Sequence, residues 1–206
     1  MARGFAKTDF DVFTINGLEG RMKGIQERIQ PKLDGLGKYI VPFLNTTYSD
    51  DFFYHVAKHA RRTVHPPDST WVAWATSKRG YKALPHFQVG LWQSHLFIWF
   101  ALIYECENKA TFANNLKEQL DEVWPNLPKD YLFSHDHTVP DVTALKDLSR
   151  AEIIHMLDRL GKVKKAEFLC GITVSKDDAR LRNGDKLTTL VEETFTTLKP
   201  LYHLAF

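Results

Sequence analysis

The sequence lacks the features that mark secreted and membrane proteins. Its 206 residues include only two cysteines, Cys106 and Cys170, so a disulfide scaffold is excluded and a reducing compartment is the simpler setting. The longest apolar run, Leu96 to Tyr104, is far shorter than the ~20 residues that cross a bilayer. The first residues lack the apolar core of a signal peptide. We therefore expect a cytoplasmic protein with no membrane partner.

Signatures of catalysis are also lacking. The phosphate-binding pattern G-x-x-x-x-G-K-[ST] does not occur, and no serine or cysteine stands in a recognisable nucleophile context. Cys170 lies in an apolar segment and is expected to pack as a small hydrophobic residue. The sequence therefore identifies no catalytic residue and no cofactor. It leaves open whether the protein is an enzyme, which ligand it binds and what its oligomeric state is.

What is present is the composition of an ordinary globular protein, with 44% hydrophobic and 25% charged residues. A chain of this length buries enough apolar surface to fold around one core without metals or disulfides. No repeat, low-complexity segment or linker divides the chain. We therefore predict a single domain over residues 1–206.

Apolar residues spaced three or four apart predict helices in five segments. The first helix begins after Asn16, which forms a capping box with Glu19, and it continues in bent form past Pro31. A second capping box, Ser149 with Glu152, opens a later helix that stops at Gly161. The predicted helices cover residues 17–40, 51–62, 109–124, 150–160 and 187–198.

Segments rich in aromatic and branched residues predict strands at 71–76, 86–92, 95–105, 131–135 and 167–174. Only Gln93 and Ser94 separate the second of these from the third. A gap of two residues fits an antiparallel hairpin and excludes a parallel crossover. The predicted fold class is therefore α+β, a mainly antiparallel sheet with helices packed on it. The order of its strands is left open.

The positive charge is concentrated in one part of the chain. Between Phe52 and His95 there are six Lys and Arg residues against a single acidic residue, Asp68, and five of the nine histidines also lie there. Such clustering is typical of sites for phosphates, nucleic acids or carboxylates, whereas a plain solvated face normally mixes both signs. Gly80 in the loop Ser77–Lys82 allows consecutive N–H groups to turn toward one anion.

The segment His86–Trp92 contributes an unusual polar and aromatic face. Phe87, Val89 and Leu91 must face the core, and Gly90 on the opposite side leaves room for close approach to the backbone. The alternative is that Trp92 packs under a helix and His86 ends a strand. The predicted anion site combines this face with the cations before it: His55, Lys58, His59, Arg62, Lys78, Arg79, Lys82, His86, Gln88 and Trp92.

Two histidine groups raise the question of a metal. His55 and His59 have a spacing used by zinc proteases, but no glutamate follows His55, and Lys58 and Arg62 would repel a cation. The segment Ser134–His137 needs further ligands from elsewhere, and a polar loop is the simpler interpretation. We therefore predict no metal site, while whether this segment binds an ion stays open.

Several segments resemble the YktB-like family of Gram-positive bacteria. They are the residues His55–Arg62, Trp71–Ala73, Ser77–Lys82, Leu84–Trp92 and Val163–Gly171, together with Phe13–Leu18 and Arg21–Met22. The resemblance runs nearly end to end and implies a single α+β domain in a cytoplasmic bacterial protein of unknown function. It implies no activity, cofactor or catalytic residue.

Three functions fit these observations. The leading hypothesis is a cytoplasmic binding domain for an anionic ligand, either a phosphorylated metabolite or a nucleic acid stacked on Trp92 or Tyr81. The first alternative is a small hydrolase or transferase for a phosphate-containing substrate, with His55, His59 or His86 as acid or base. The second is an interaction module whose basic face binds an acidic protein.

Overall fold

Seven strands form one antiparallel sheet in the structure, a computed structural model that describes residues 2–206. The strands are Phe53–Val56 (β1), Ser69–Ala75 (β2), His86–Trp92 (β3), His95–Leu102 (β4), Leu132–Ser134 (β5), Thr143–Ala144 (β6) and Phe168–Ser175 (β7). Their order across the sheet is β1-β2-β3-β4-β7-β5-β6. The predicted α+β class and the hairpin at Gln93 and Ser94 are confirmed, since β3 pairs with β4 in antiparallel register from His86↔Ala101 to Leu91↔Leu96.

The α-helices precede, interrupt and follow the sheet. They are Lys7–Phe10 (α1), Leu18–Gly24 (α2), Gln30–Tyr48 (α3), Lys109–Glu118 (α4), Leu120–Val123 (α5), Arg150–Lys162 (α6), Gly184–Thr197 (α7) and Lys199–His203 (α8). A π turn, Ile25–Ile29, joins α2 to α3, so the chain stays helical across Pro31 as predicted. The π turn stands just before a proline that has no N–H to donate, which is where an irregular turn is expected.

One face of the sheet, the helix face, packs against the helices around the main hydrophobic core. Phe87 of β3 contacts Phe195 of α7 with ring centroids 4.5 Å apart. Trp74 of β2 is fully buried, and its indole Nε1 donates to the carbonyl of Gly37 in α3 at 3.0 Å. Cys170 is buried in this core as a small hydrophobic residue, as predicted.

The opposite face, the loop face, has a buried cluster that contains no helical residue. Phe97, Trp99 and Leu169 form its centre, with Trp71 and Trp92 packed at the sides. The polar residues of β3 therefore point away from the helices, as their alternation predicts. Gly90 does not provide open space there, because a Cβ atom at this position would lie 2.3 Å from Phe97 Cζ and 2.6 Å from the Thr70 carbonyl.

The helix predicted over residues 51–62 is wrong. These residues form β1 and a loop, with β1 paired to β2 from Phe53↔Ala75 to Val56↔Val72. The chain leaves α3 through Ser49, whose φ of 59° is left-handed, and the Phe52 N–H is then held by Asn45 Oδ1 at 2.8 Å. Pairing with a long neighbouring strand thus overrides a local helical pattern.

The two capping predictions have opposite outcomes. Ser149 and Glu152 form the predicted box at the start of α6, where the Ser149 N–H donates to Glu152 Oε2 at 2.8 Å. Asn16 does not cap α2, because that helix begins after Gly17, which has a φ of 78° and makes no side-chain bond. At the C-terminal end, α7 stops before Pro200 as predicted, but Pro200 then lies in the first turn of α8.

No helix within residues 2–206 combines the length and the apolar character needed to cross a membrane.

The two glycines of the predicted anion site allow a direct stability test. We expect Gly90→Ala to lower the free energy of unfolding by about 1–3 kcal/mol, because its methyl group would push against backbone as well as the Phe97 ring. Gly80→Ala is the control, since nothing lies within 4 Å of its Cβ position. Urea denaturation measures both; equal stability for the two variants would contradict the packing described.

Candidate functional site

Four of the predicted site residues line one groove at the edge of the sheet. His55 of β1, Lys58 in the loop that follows, and Arg79 and Lys82 in the β2–β3 loop surround an open cavity of about 860 Å³. We call this cavity, with the intervening backbone of residues 76–84, the basic groove. It joins two chain segments that are about twenty residues apart.

Hydrogen bonds fix the wall of the basic groove. His55 Nε2 donates to the Ser77 carbonyl at 2.8 Å, which ties β1 to the β2–β3 loop. Behind this contact, the Trp71 indole donates to the Tyr81 hydroxyl at 2.9 Å, and burial raises the Tyr81 pKa to about 12. The Tyr81 side chain is therefore a neutral, buried support of the groove and offers no exposed ring for stacking.

The cations of the groove differ in their pairing. Lys82 lies 3.6 Å from Glu105, which also lines the groove. Lys58 and Arg79 are exposed and take no part in the ion pairs found among residues 2–206. These two side chains are therefore available to a ligand without loss of an existing partner.

Gly80 does not use the left-handed conformation that glycine allows. Its φ is not positive, and the space around its Cβ position is open. An anion site built from alternating right-handed and left-handed residues is therefore absent from residues 77–82. Anion binding in the groove would therefore depend on the side chains of Lys58, Arg79 and Lys82.

The other predicted residues lie outside the basic groove. Lys78 lines the neighbouring cavity beside Phe52, with its amine 5.2 Å from the centre of the Phe53 ring. Arg62 is exposed in the loop after β1, where it donates to the carbonyls of His65 and Pro66 at 3.4 and 3.5 Å. Trp92 lines a separate small cleft with His95 and the loop around Pro140. The structure thus does not bring all ten residues into one hollow.

His86 and Gln88 are buried and bonded to each other. His86 Nδ1 donates to the Leu84 carbonyl at 2.7 Å, and its Nε2 accepts from the Gln88 amide at 2.7 Å. Burial lowers the His86 pKa to about 4. Because both nitrogens are satisfied inside the protein, neither is free to contact a ligand in the groove.

His59 also turns inward. Its φ of 51° is left-handed, and the ring lies 3.0 Å from Thr70 Oγ1 and edge-on to Trp71. Burial, and secondarily the charge of Arg62, lowers its pKa to about 4. With β1 a strand, His55 and His59 are not neighbours on a helix face, so the geometry that suggested a zinc pair is absent.

A histidine–carboxylate pair on the loop face was missed by the sequence. His137 Nδ1 lies 2.8 Å from both oxygens of Glu167, and the backbone N–H of His137 donates to Glu167 Oε2 at 2.8 Å. Tyr104 N–H donates to Glu167 Oε1 at 3.1 Å. The two residues are thirty positions apart, and no spacing motif links them, so only the pairing of β7 beside β5 reveals the contact.

This pair also concerns the open question of an ion at Ser134–His137. Ligand atoms of Asp136, His137 and Glu167 lie within 4.8 Å of one another. However, Glu167 already accepts from two backbone N–H groups and His137, and Asp136 accepts from Thr138 N and Oγ1 at 2.8 and 2.6 Å. The carboxylate oxygens of both residues thus already accept hydrogen bonds that hold the loop after β5 in place. The absence of a metal site stays a prediction.

Comparison with known proteins matches a family model described as a domain of unknown function, DUF1054, over residues 5–202. The chain belongs to this family. Similar proteins named UPF0637 protein occur in Bacillus cereus strain B4264, Bacillus thuringiensis strain Al Hakam and Bacillus anthracis strain CDC 684. Each is 48% identical to this chain over 200 residues, which cover 97% of this chain and 96% of the relative.

The expected membership of an uncharacterised bacterial family is therefore confirmed, and the match extends nearly end to end. Neither the DUF1054 description nor the names of the relatives state an activity. The function of this DUF1054 protein must therefore be argued from its own groove and its own side chains.

The hydrogen bonds of Glu167 predict that its side chain stabilises the folded protein. Glu167→Ala should lower the free energy of unfolding by about 2 kcal/mol or more, because it leaves the N–H groups of Tyr104 and His137 without their acceptor. Glu167→Gln keeps an acceptor oxygen and should lose less. Thermal and urea denaturation measure both; an alanine variant as stable as the native protein would show that the network is dispensable.

Buried His86 predicts a pH dependence of stability. Its folded pKa of about 4 lies below the ordinary 6.5, so the unfolded chain takes up the proton first as the pH falls. The stability present above pH 6.5 is then lost toward pH 4, at up to about 1.4 kcal/mol per pH unit. His86→Gln should remove this component. Urea denaturation between pH 7.5 and 4.5 compares the two slopes, and parallel slopes would contradict the assignment.

Proposed function

We propose that this protein binds an anionic ligand in the basic groove, through Lys58, Arg79 and Lys82. The single observation that carries the proposal is the convergence of two chain segments on one cavity, whose exposed Lys58 and Arg79 have no carboxylate partner within residues 2–206. Arg79 offers a planar pair of donors that matches two oxygens of a phosphate or carboxylate. Lys82, although near Glu105, adds charge at the rim.

The dimensions of the groove favour a compact anion over a nucleic acid. A volume of about 860 Å³ lies within the range of small-molecule sites. Nucleic-acid binding usually employs several phosphate contacts and exposed aromatic rings. Here Tyr81 is buried, and Trp92 lies in a different cleft. A phosphorylated metabolite is therefore favoured over a nucleic acid as the ligand of the basic groove.

The catalytic alternative receives less support from the geometry. Of the three histidines considered as acid or base, only His55 lines the groove. The lowered pKa values of His59 and His86 keep both rings neutral at physiological pH, and both point inward. Binding without chemistry is therefore the function that we propose.

The proposal also places the protein in the cytoplasm. Cys106 and Cys170 are both buried and unpaired, and burial raises the Cys106 pKa to about 11. Neither thiol depends on an oxidising environment, which agrees with a reducing compartment.

The test is a thermal-shift screen with ATP, fructose 1,6-bisphosphate, pyrophosphate and an oligothymidylate at two salt concentrations. A ligand that binds the folded form raises Tm by mass action. We expect a phosphorylated small molecule to stabilise the protein and the double variant Lys58→Ala, Arg79→Ala to weaken its binding about tenfold to a hundredfold, since two charge-assisted contacts are lost.

The matched control is Lys129→Ala, Lys146→Ala, which removes the same charge near β6 at the other end of the sheet. Gly80→Ala should also bind normally, because the φ of Gly80 is not positive and nothing lies within 4 Å of its Cβ position. If both double variants lose binding equally, the effect is one of net charge and the groove is not the site. If no compound raises Tm, small-anion binding is refuted.

A further inference from the structure

The outer edge of β1 has no strand beside it. β1 ends the sheet, and all four of its residues are partly exposed. Ala57 N–H donates to the Trp71 carbonyl at 2.9 Å, which continues the β1–β2 register by one residue. Because pairing alternates along an antiparallel strand, residues 53, 55 and 57 face β2, and Tyr54 and Val56 direct their N–H and C=O groups away from the sheet.

Two cavities lie along this edge on the helix face. One, of about 500 Å³, is lined by apolar Val41 and Phe52 and also by the charged side chains of Lys38, Asp51 and Lys78. The other, of about 570 Å³, is lined by Pro31 and Val56 and also by the polar and charged side chains of Gln26, Gln30, Asp34 and Lys58. Alternate side chains of an added strand are about 7 Å apart and point to one face. Two consecutive members of that set would therefore fit these two cavities.

Tyr54 forms the boundary between the two cavities, since it lines both of them. Its hydroxyl donates to Asp34 Oδ1 at 2.9 Å, and its ring lies against Gly37, where a Cβ atom would be 2.4 Å away. Asp34 also accepts from Lys38 at 2.7 Å, and these two bonds hold the Asp34 pKa below its usual range. The Tyr54 ring is thus fixed in place beside the edge.

On the loop face the same edge borders the basic groove. His55 lines the groove and both cavities, so the three spaces meet at β1. Lys58 and Arg79 have no carboxylate partner, and Lys78 extends over Phe53 at the end of the strand, also without one. A strand added at β1 would meet the cations of the basic groove on the loop face. On the helix face it would meet apolar Val41 and Val56 beside the charged Asp34 and Lys38.

We propose that the outer edge of β1 binds an extended peptide segment of a partner protein, which pairs with Tyr54 and Val56 as an eighth strand. Its alternate side chains are acidic toward the basic groove and apolar toward α3. This inference rests on the proposed anion binding in the basic groove. It assigns peptide carboxylates, in place of a phosphorylated metabolite, as the anions held by Lys58 and Arg79. Backbone bonds supply affinity in such complexes, and alternate side chains supply specificity.

Lysines beside a short edge strand have a second known use, which is to prevent sheets from pairing with one another. Under that account the edge binds no peptide of any sequence. Nucleic acids have no amide ladder to offer, so they would ignore the N–H groups of β1. Both alternatives therefore predict results that differ from those expected if a peptide adds a strand at β1.

The test is an array of eight-residue peptides in which acidic and apolar positions alternate and the apolar residue is varied, followed by fluorescence anisotropy on the strongest binder. We expect that N-methylation of alternate peptide amides, or rearrangement of the same residues into an acidic and an apolar block, weakens binding at least tenfold. Lys58→Glu, Arg79→Glu in the full-length protein should do the same, and Lys129→Glu, Lys146→Glu should not.

On the protein side, Val56→Pro removes an outward N–H and should abolish binding, whereas Val56→Thr keeps both the N–H and the branched side chain and should bind within about twofold. The N-methylated peptides need no change in the protein, so the inference stays testable even if Val56→Pro does not fold.

Each remaining result has one meaning. Peptide binding that is lost with the groove charges but indifferent to N-methylation overturns the added strand and leaves anion binding intact. No peptide binding, together with stabilisation by a phosphorylated compound, has the same consequence. Tighter binding of an oligonucleotide than of every peptide also overturns the inference. If neither peptides nor phosphorylated compounds bind, both proposals fail.

Discussion

The helices of this protein cover only one face of its sheet, and the arrangement of the remaining parts depends on that constraint. The apolar residues of the loop face, such as Phe97 and Trp99, must then be covered by loops and by one another. The loops after β1, β2 and β5 fold against this face. They bring His59, Tyr81 and His137 into contact with Trp71. The basic groove is where two of these loops meet the sheet edge.

Elements of the fold that depend on local chemistry were predictable, and elements that depend on distant pairing were not. The β3–β4 hairpin and α6 follow from local chemistry: a two-residue gap at Gln93, and a capping box at Ser149. The segment of β1 was predicted as a helix because its identity depends on pairing with β2, a contact that local periodicity does not encode. Asn16 failed as a cap for a similar reason, since the conformation of Gly17 sets the start of α2.

The site was predictable only in part. Charge clustering selected His55, Lys58, Arg79 and Lys82, which line one cavity because residues separated by one strand and its turns return to the same edge. It did not reveal that His59 and His86 point inward, since burial is a property of the folded sheet. Nor did it reveal the contact of His137 with Glu167. His137 follows β5 and Glu167 precedes β7, and the contact exists because these two strands pair in the sheet.

The central claim is that an anion binds where the edge of β1 meets the basic groove, and a map of backbone amide shifts during titration with the best phosphorylated compound or acidic peptide tests it most directly. The account predicts saturable shifts confined to residues 54–58 and 77–82. Shifts centred on the loop around Asp136 and His137, or weak shifts spread over every exposed lysine, would contradict it.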